Sequence, residues 1–400
     1  MGGLVGGAFV EAVIALLKRV LDFFAGQATW VLIVVPLVGL SIATLVLERI
    51  GRSGVSRPAD AWRTFPPGAI RRDITGNVVD TAGREETFPW QLAPLRLVAI
   101  FATVGLGAGM GTEAPAAYLG IAMGACLGDR GRRWRRLLRP AALGGGAAGV
   151  AVLMGIPLVG TGYVLEIGRR NGAPYSAERV LPALIGGGVG WLINIAYDVQ
   201  LIRLVVPHEP PASLRQALIT VCLIGALSGA ITSLAASAVY LGKKWQASAL
   251  IRLGLGALIA GAASIALCVV AEPSAAFGPG GGAITWAETH AAPPLTLLLV
   301  DLLRAASTAA AVSAGGCGGV FVPFLAIGDI AGRVFAPGLG VGNDLAGAAG
   351  AAGGIAGGYR LPLTAVAMVL GVGGPPTAQL TCLGVVLVAH YASRLNPFAS

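Results

Sequence analysis

"GTEAPAAYLGIAMG" (residues 111–124) and "GVFVPFLAIGDIAG" (residues 319–332) share one pattern of glycine and proline. Each matching position lies 208 residues later in the second stretch: Gly111 with Gly319, Pro115 with Pro323, Gly120 with Gly328, and Gly124 with Gly332. A second pair, "GIPLVGTGYVLE" from 155 and "RLPLTAVAMVLG" from 360, follows in the same order, and its prolines, Pro157 and Pro362, lie 205 positions apart. Two motifs that recur in the same order and at similar spacing indicate an internal duplication.

The repeated G-x-x-x-P stretch is typical of the start of a helix. Proline is tolerated in the first turn because its fixed φ suits the helix and its missing N–H is not needed there. Glycine lets the backbone turn sharply just before. Close packing between helices would account for the glycines, but it does not explain a proline just inside a helix start in both copies.

The composition predicts an integral membrane protein. Hydrophobic residues make up 55% of the 400 residues and charged residues only 12%, whereas about a quarter of an ordinary soluble chain is charged. Stretches of about 20 apolar residues can cross a bilayer, and eight of them recur at 28–48, 91–110, 140–165, 181–206, 216–241, 246–271, 293–312 and 377–393. We therefore predict an all-α polytopic protein, one transmembrane domain over 1–400, with an N-terminal helix at 1–27 and two repeats at 28–206 and 216–400.

Charge is distributed unevenly along the chain. The formal net charge of +9 comes from Lys and Arg clustered in short loops, which mark the cytoplasmic side of a cell-membrane protein and argue against a nucleic-acid partner. Lys18 and Arg19 follow the first apolar stretch, so it does not read as a cleaved signal peptide. Asp301 and Arg304 lie three apart, a spacing that permits a local ion pair. The five single cysteines and three scattered histidines predict no disulfide framework, metal site or cofactor.

Glu113 is a carboxylate within the first of the two predicted helix starts. A helix start carries unpaired N–H groups and about half a positive elementary charge, so two converging starts make an anion site without lysine or arginine. The carboxylate of Glu113 would take the place of a permeant anion there, and would open the path when protonated or displaced. The sequence thus predicts a pH-dependent gate; the alternative is a static helix-capping glutamate.

These motifs resemble those of the CLC family of chloride channels and chloride/proton antiporters. The family's G-R/K-E-G-P motif, which supplies the gating glutamate, is matched at Gly111, Glu113 and Pro115, with departures at Thr112 and Ala114. The family's G-x-F-x-P motif is matched fully by "GVFVP" from Gly319 to Pro323. The resemblance covers the chain from about residue 28 to its end. It implies two inverted halves and a homodimer with one anion pathway per subunit.

The resemblance also implies the anion ligands. The backbone N–H groups of Val320 and Phe321 would bind the anion together with the hydroxyl of Ser53, which with Gly54 corresponds to the family's G-S-G-I-P motif in "RSGVS". The family's central tyrosine in a late P-L-Y-S segment is replaced by Ala399 in "NPFAS". Because the sequence ends at Ser400, we expect none of the cytoplasmic regulatory domains that some relatives carry.

An inner glutamate carries protons in many antiporters of this family. Register from Pro157 places Ile167 at that position, with Glu166 one residue earlier. Glu166 is either a substitute proton carrier or a helix-end carboxylate near the cytoplasm. The predicted function is therefore transport of chloride or a similar small anion, either exchanged for protons or passive.

Two other functions compete with chloride transport. A fluoride-selective branch of the same family typically lacks the serine motif and alters the G-x-F-x-P segment, both of which this chain keeps. "GRSG" at 51–54, with His390 on a late apolar segment, matches the G-x-S-G of intramembrane serine proteases. No second protease signature accompanies it, so we do not expect an enzyme.

Overall fold

The computed structural model describes residues 1–24, 29–47, 90, 93–128, 134–170, 172–199 and 201–396. Within these residues the chain forms seventeen α-helices, and its β pairing is a single isolated bridge. The predicted all-α fold is therefore confirmed.

The helices of the first half precede residue 200. They are α1 Gly2–Phe24, α2 Thr29–Leu45, α3 Ala93–Gly105, α4 Glu113–Gly128, α5 Leu138–Met154, α6 Pro157–Arg170 and α7 Ala177–Tyr197. The second half contains α8 Leu214–Lys244, α9 Ala249–Val270, α10 Pro273–Ala276, α11 Gly281–Thr289, α12 Pro294–Ser313, α13 Phe321–Arg333, α14 Ala336–Leu339, α15 Asn343–Gly354, α16 Pro362–Val372 and α17 Pro376–Arg394. A π-helical turn, Ile355–Tyr359, continues α15.

Four of the described helices, α7, α8, α9 and α12, are long and apolar enough to cross a membrane on their own. Their outward faces carry large apolar side chains, such as Leu250 and Val269 of α9, which are more than three-quarters exposed. Apolar outer faces of this kind suit a bilayer or another apolar protein surface. The predicted span 140–165 is wrong: it is two helices, because Gly155 ends α5 with φ +66° and Pro157 then starts α6. The predicted spans 91–110 and 181–206 extend too far, since their helices end at Gly105 and Tyr197.

The two halves repeat the same order of helices. The starts of α4, α5, α6 and α7 are matched by those of α13, α15, α16 and α17, between 199 and 208 positions later. The repeat extends to packing. A Cβ on Gly120 of α4 would lie 1.9 Å from the carbonyl oxygen of Gly145, and one on Gly328 of α13 would lie 2.3 Å from that of Gly350. These repeated glycines therefore let α4 approach α5, and α13 approach α15, backbone to backbone.

Helices α4 and α13 lie at the centre of the molecule. Every residue of α13 is buried, as are the first ten residues of α4. Helices α1 and α5 cover α4, while α8, α12 and α15 cover α13. Both central helices are too short to cross a bilayer, which needs about 20 residues, so each starts inside the protein.

Candidate functional site

The two predicted helix starts meet in the interior. The N–H of Gly111 donates to the carbonyl of Gly319 at 2.7 Å, and the N–H of Gly319 donates to the carbonyl of Gly111 at 2.8 Å. This bridge is antiparallel, so the two segments approach from opposite directions, as they would in inverted repeats. The starts of α4 and α13 thus face one another across a reciprocal pair of backbone hydrogen bonds.

The local geometry of both starts is the same. The first intrahelical bond of α4 runs from the N–H of Ala116 to the carbonyl of Thr112, and that of α13 runs from the N–H of Phe324 to the carbonyl of Val320, each at 3.0 Å. Pro115 occupies the third position of α4, as its counterpart Pro323 does in α13. Proline lacks an N–H, so it leaves no donor unsatisfied there. The N–H groups before it remain available to a ligand.

The carboxylate of Glu113 lies on the start of α13. Glu113 is fully buried, and its Oε1 accepts a hydrogen bond from the backbone N–H of Phe321 at 2.7 Å. Its other oxygen, Oε2, makes no hydrogen bond within the described residues. A carboxylate from one half therefore occupies the positive end of a helix of the other half, where the dipole and the N–H groups favour an anion.

Two glycines make room for this carboxylate. A Cβ built on Gly319 would lie 1.7 Å from Oε1 of Glu113, and one on Gly111 would lie 2.2 Å from Oε2. Both distances are far inside van der Waals contact, so any side chain at either position would displace the carboxylate. Unlike Gly120 and Gly328, these glycines serve the approach of a charged group.

Of the predicted site residues Ser53, Gly54, Val320 and Ala399, the structure describes Val320 alone. Val320 is buried immediately before α13, and its carbonyl makes the first bond of that helix. Ser53, Gly54 and Ala399 lie outside the described residues, so their predicted roles stay predictions.

Glu166 lies on the start of another helix, α16. Its Oε1 accepts from the N–H of Leu363 at 2.8 Å. Its Oε2 accepts from the N–H and the hydroxyl of Thr364 at 2.7 and 2.6 Å. The sequence indicated a helix start at Pro362 and a carboxylate at 166, but not that they would meet. Leu363 and Thr364 are therefore functional candidates that sequence reasoning missed, because only the fold brings positions almost 200 residues apart into contact.

A family model described as voltage-gated chloride channel matches residues 74–394. The chain belongs to this CLC family. It is 26% identical over 416 aligned residues to the H(+)/Cl(−) exchange transporter ClcA of Yersinia pestis, with 97% of this chain and 82% of that protein covered. The ClcA of Vibrio parahaemolyticus is 27% identical over 321 residues, which cover 75% of this chain and 67% of that protein.

Solved structures of CLC proteins share the fold. A slow cyanobacterial Cl−/H+ antiporter superposes with a TM-score of 0.74 at 20% identity, covering 98% of this chain and 92% of that one. A CLC-type fluoride/proton antiporter gives a TM-score of 0.75 at 21% identity, covering 100% and 95%. The two scores are nearly equal, so the fold does not distinguish a chloride from a fluoride transporter. CLC transporters are integral membrane proteins, and this chain accordingly resides in a membrane.

Charged side chains form a separate network at the far end of α13 from Glu113. Arg333 donates from Nε to Oδ1 of Asp329 at 2.6 Å, with both side chains fully buried. The same guanidinium lies 3.4 Å from Glu288, which in turn pairs with the half-exposed Arg203. Alternating signs let these buried charges compensate one another. The network holds α11 against α13 and does not touch Glu113.

Asp301 and Arg304 do not form the local ion pair that their spacing permits. The guanidinium of Arg304 instead donates to the carbonyls of Ala276 and Gly278 at 3.2 and 2.8 Å, and so fixes the turn after α10. The oxygens of Asp301 make no hydrogen bond within the described residues. Among all the described residues there is no group of three or more His, Cys, Asp or Glu side chains that could hold a metal ion.

Proposed function

We propose that this CLC protein moves chloride, or a similar small monovalent anion, across the cell membrane past the start of α13, and that Glu113 gates this path. One observation carries the proposal: the carboxylate of Glu113 binds the N–H of Phe321 between Gly111 and Gly319. Donors that hold a carboxylate suit a halide equally well. The names of the ClcA relatives support chloride as the anion and protons as the exchanged ion.

The gating step follows from competition for the same donors. While ionised, Glu113 satisfies the start of α13 and excludes an anion from it. Protonation removes the charge that the helix start attracts, so an anion can then displace the side chain. Neutral donors hold the anion weakly enough to release it. Each opening requires a proton, and this links anion flux to pH.

Selectivity and assembly are parts of the same proposal. The anion is bound by Ser53 and by the N–H groups of Val320 and Phe321, and chloride is preferred over fluoride. The protein acts as a homodimer, and its basic loops lie in the cytoplasm. Chloride and fluoride efflux from the same liposomes tests the preference, and a fluoride rate far above the chloride rate would contradict it. Light scattering of the detergent-purified protein measures the subunit number.

Exchange and passive flow are distinguished in liposomes under an imposed chloride gradient. We expect protons to move uphill as chloride runs down its gradient, recorded by a pH electrode and a chloride electrode together. Chloride flux without proton movement would instead establish a passive pathway.

Glu113→Gln tests the gate. Glutamine mimics the protonated acid, so we expect chloride flux to persist, to lose its response to external pH, and to carry no protons. Glu178→Gln is the matched control, because Glu178 also lies in the first turn of a helix but is exposed. A wild-type pH response in Glu113→Gln would contradict the gating role.

A further inference from the structure

Four buried aromatic side chains form a cluster at the start of α13: Tyr163, Phe321, Phe324 and Tyr359. The ring of Tyr163 stands edge-on to that of Phe321 at 5.7 Å between centroids. Tyr359 lies 5.8 Å from Phe321, 5.9 Å from Phe324 and 6.1 Å from Tyr163. Tyr163 is fully buried and Tyr359 is 7% exposed. Both halves of the chain contribute, since α6 supplies Tyr163.

This aromatic cluster lies between the two helix starts that hold glutamates. Phe321 is the first residue of α13, and its N–H binds Glu113. Tyr163 precedes Glu166 by three residues on α6, which places both on one face of that helix. Tyr359 precedes Pro362, the first residue of α16, by three residues. The cluster therefore adjoins the N–H of Phe321 on one side and the start of α16 on the other.

Only two of the four rings carry a polar group. Phenylalanine fills this space at two positions, and it would fill all four without the free-energy cost of burying a hydroxyl. A phenol O–H is a neutral donor, the kind of group that binds an anion without trapping it. The backbone of Tyr359 is also fixed from outside the cluster, because Arg170 donates from Nη1 to its carbonyl at 2.6 Å.

We propose that the hydroxyls of Tyr163 and Tyr359 donate hydrogen bonds to the anion beside Phe321 and set its selectivity. This inference rests on the proposed function, because it places the anion at the start of α13. Hydroxyl donors bind more tightly to anions that are strong hydrogen-bond acceptors. Chloride therefore gains more from the two tyrosines than thiocyanate, which is large and accepts hydrogen bonds weakly.

The test removes one oxygen atom at a time. Tyr163→Phe and Tyr359→Phe keep the rings, and Tyr118→Phe is the matched control, because Tyr118 is equally buried on α4 but stacks with Arg96 outside the cluster. Calorimetric titration with sodium chloride and sodium thiocyanate measures affinity in detergent, and reversal potentials in liposomes measure selectivity. Losing one neutral hydrogen bond weakens chloride binding about fivefold. We expect that loss for each cluster variant, a smaller loss for thiocyanate, and no change for Tyr118→Phe.

Unchanged chloride affinity in both cluster variants, or an equal loss in Tyr118→Phe, would overturn the inference. A wild-type protein that binds chloride but does not transport it would contradict the proposed function and leave the binding test intact. A second measurement covers variants that fail to fold. Replacing sulfate with chloride should shift the ultraviolet difference spectrum of the wild-type tyrosines to longer wavelength, and a flat difference spectrum would also overturn the inference.

Discussion

Glu113 and Glu166 are both glutamates of the first half that bind a helix start of the second half, but they are held differently. Within the described residues, the carboxylate of Glu113 accepts one hydrogen bond, on Oε1 from the backbone N–H of Phe321. Glu166 accepts three bonds on two oxygens, one of them from the hydroxyl of Thr364. Hydrogen bonds to a charged group contribute about 1.5–3 kcal/mol each. A singly bonded carboxylate is therefore much easier to exchange for an ion than a triply bonded one.

The surroundings of the two carboxylates reinforce this difference. Glu113 is the first residue of α4 and lies between two glycines, with no side-chain donor bonded to it in the described part of the chain. Glu166 lies within α6, and its carboxylate bonds both backbone N–H groups and a side-chain hydroxyl at the start of α16. We infer that the carboxylate of Glu113 leaves its helix start during transport, whereas the carboxylate of Glu166 stays bound and joins α6 to α16.

Gly319→Ala should have a large effect on gating, because it displaces the more weakly bound carboxylate, that of Glu113. The new Cβ would occupy the position of Oε1 of Glu113, so the carboxylate must leave the start of α13. Losing a bond of about 2 kcal/mol lowers the occupancy of the closed position about thirtyfold. We expect chloride flux at neutral pH to rise and most of its pH response to disappear, measured by liposome efflux across a pH series.

The control for Gly319→Ala is Gly188→Ala in α7, where an added Cβ meets nothing within 4 Å. This variant should keep the wild-type pH response. A Gly319→Ala protein that folds and still closes at neutral pH would show that the gate does not depend on the bond to Phe321.

The meeting of the two helix starts could be predicted from sequence, because the glycine and proline pattern repeats at a fixed offset and Glu113 interrupts an apolar region. Glu113 and Phe321 even occupy matching positions of the two copies. The internal duplication thus identified both the acid and its helix start before any contact was known.

The remaining contacts could not be predicted, because they depend on how helices pack. The hydroxyl of Thr364 and the ring of Tyr359 reach α6 across almost 200 residues of sequence, with no periodic signal to connect them. The pairing of Asp301 with Arg304 was suggested by spacing alone. It fails because backbone carbonyls of the turn after α10 bind the guanidinium instead. Local patterns identify helix starts, whereas side-chain partners are set by tertiary packing.

Glu166→Gln weakens the more strongly bound of the two carboxylates. Glutamine keeps one acceptor oxygen but loses the charge, so the free energy of unfolding should fall by about 2 kcal/mol. If Glu166 only joins two helices, the ratio of protons to chloride ions moved should stay at the wild-type value in liposomes. Unfolding followed by circular dichroism in detergent measures the stability, with Glu178→Gln as the exposed control.

The alternative role of Glu166, as the inner proton carrier, gives the opposite result in the same experiment. A folded Glu166→Gln protein that conducts chloride but moves no protons would assign it to the proton path. The three hydrogen bonds would then be made in only one protonation state of Glu166. Both glutamates would take part in proton movement, and they would differ only in how strongly each carboxylate is bound.

Thr364→Val should have a smaller effect, because it removes only the hydroxyl bonded to Oε2 of Glu166. Both N–H donors of α16 remain, so the free energy of unfolding should fall by about 1 kcal/mol, less than in Glu166→Gln. Thr381→Val is the control, because its buried hydroxyl bonds the carbonyl of Thr377 one turn earlier in the same helix. Equal losses in Thr364→Val and Glu166→Gln would mean that the hydroxyl, not the helix start, holds the carboxylate. Of the two carboxylates, only that of Glu113 would then be held by the N–H groups of a helix start.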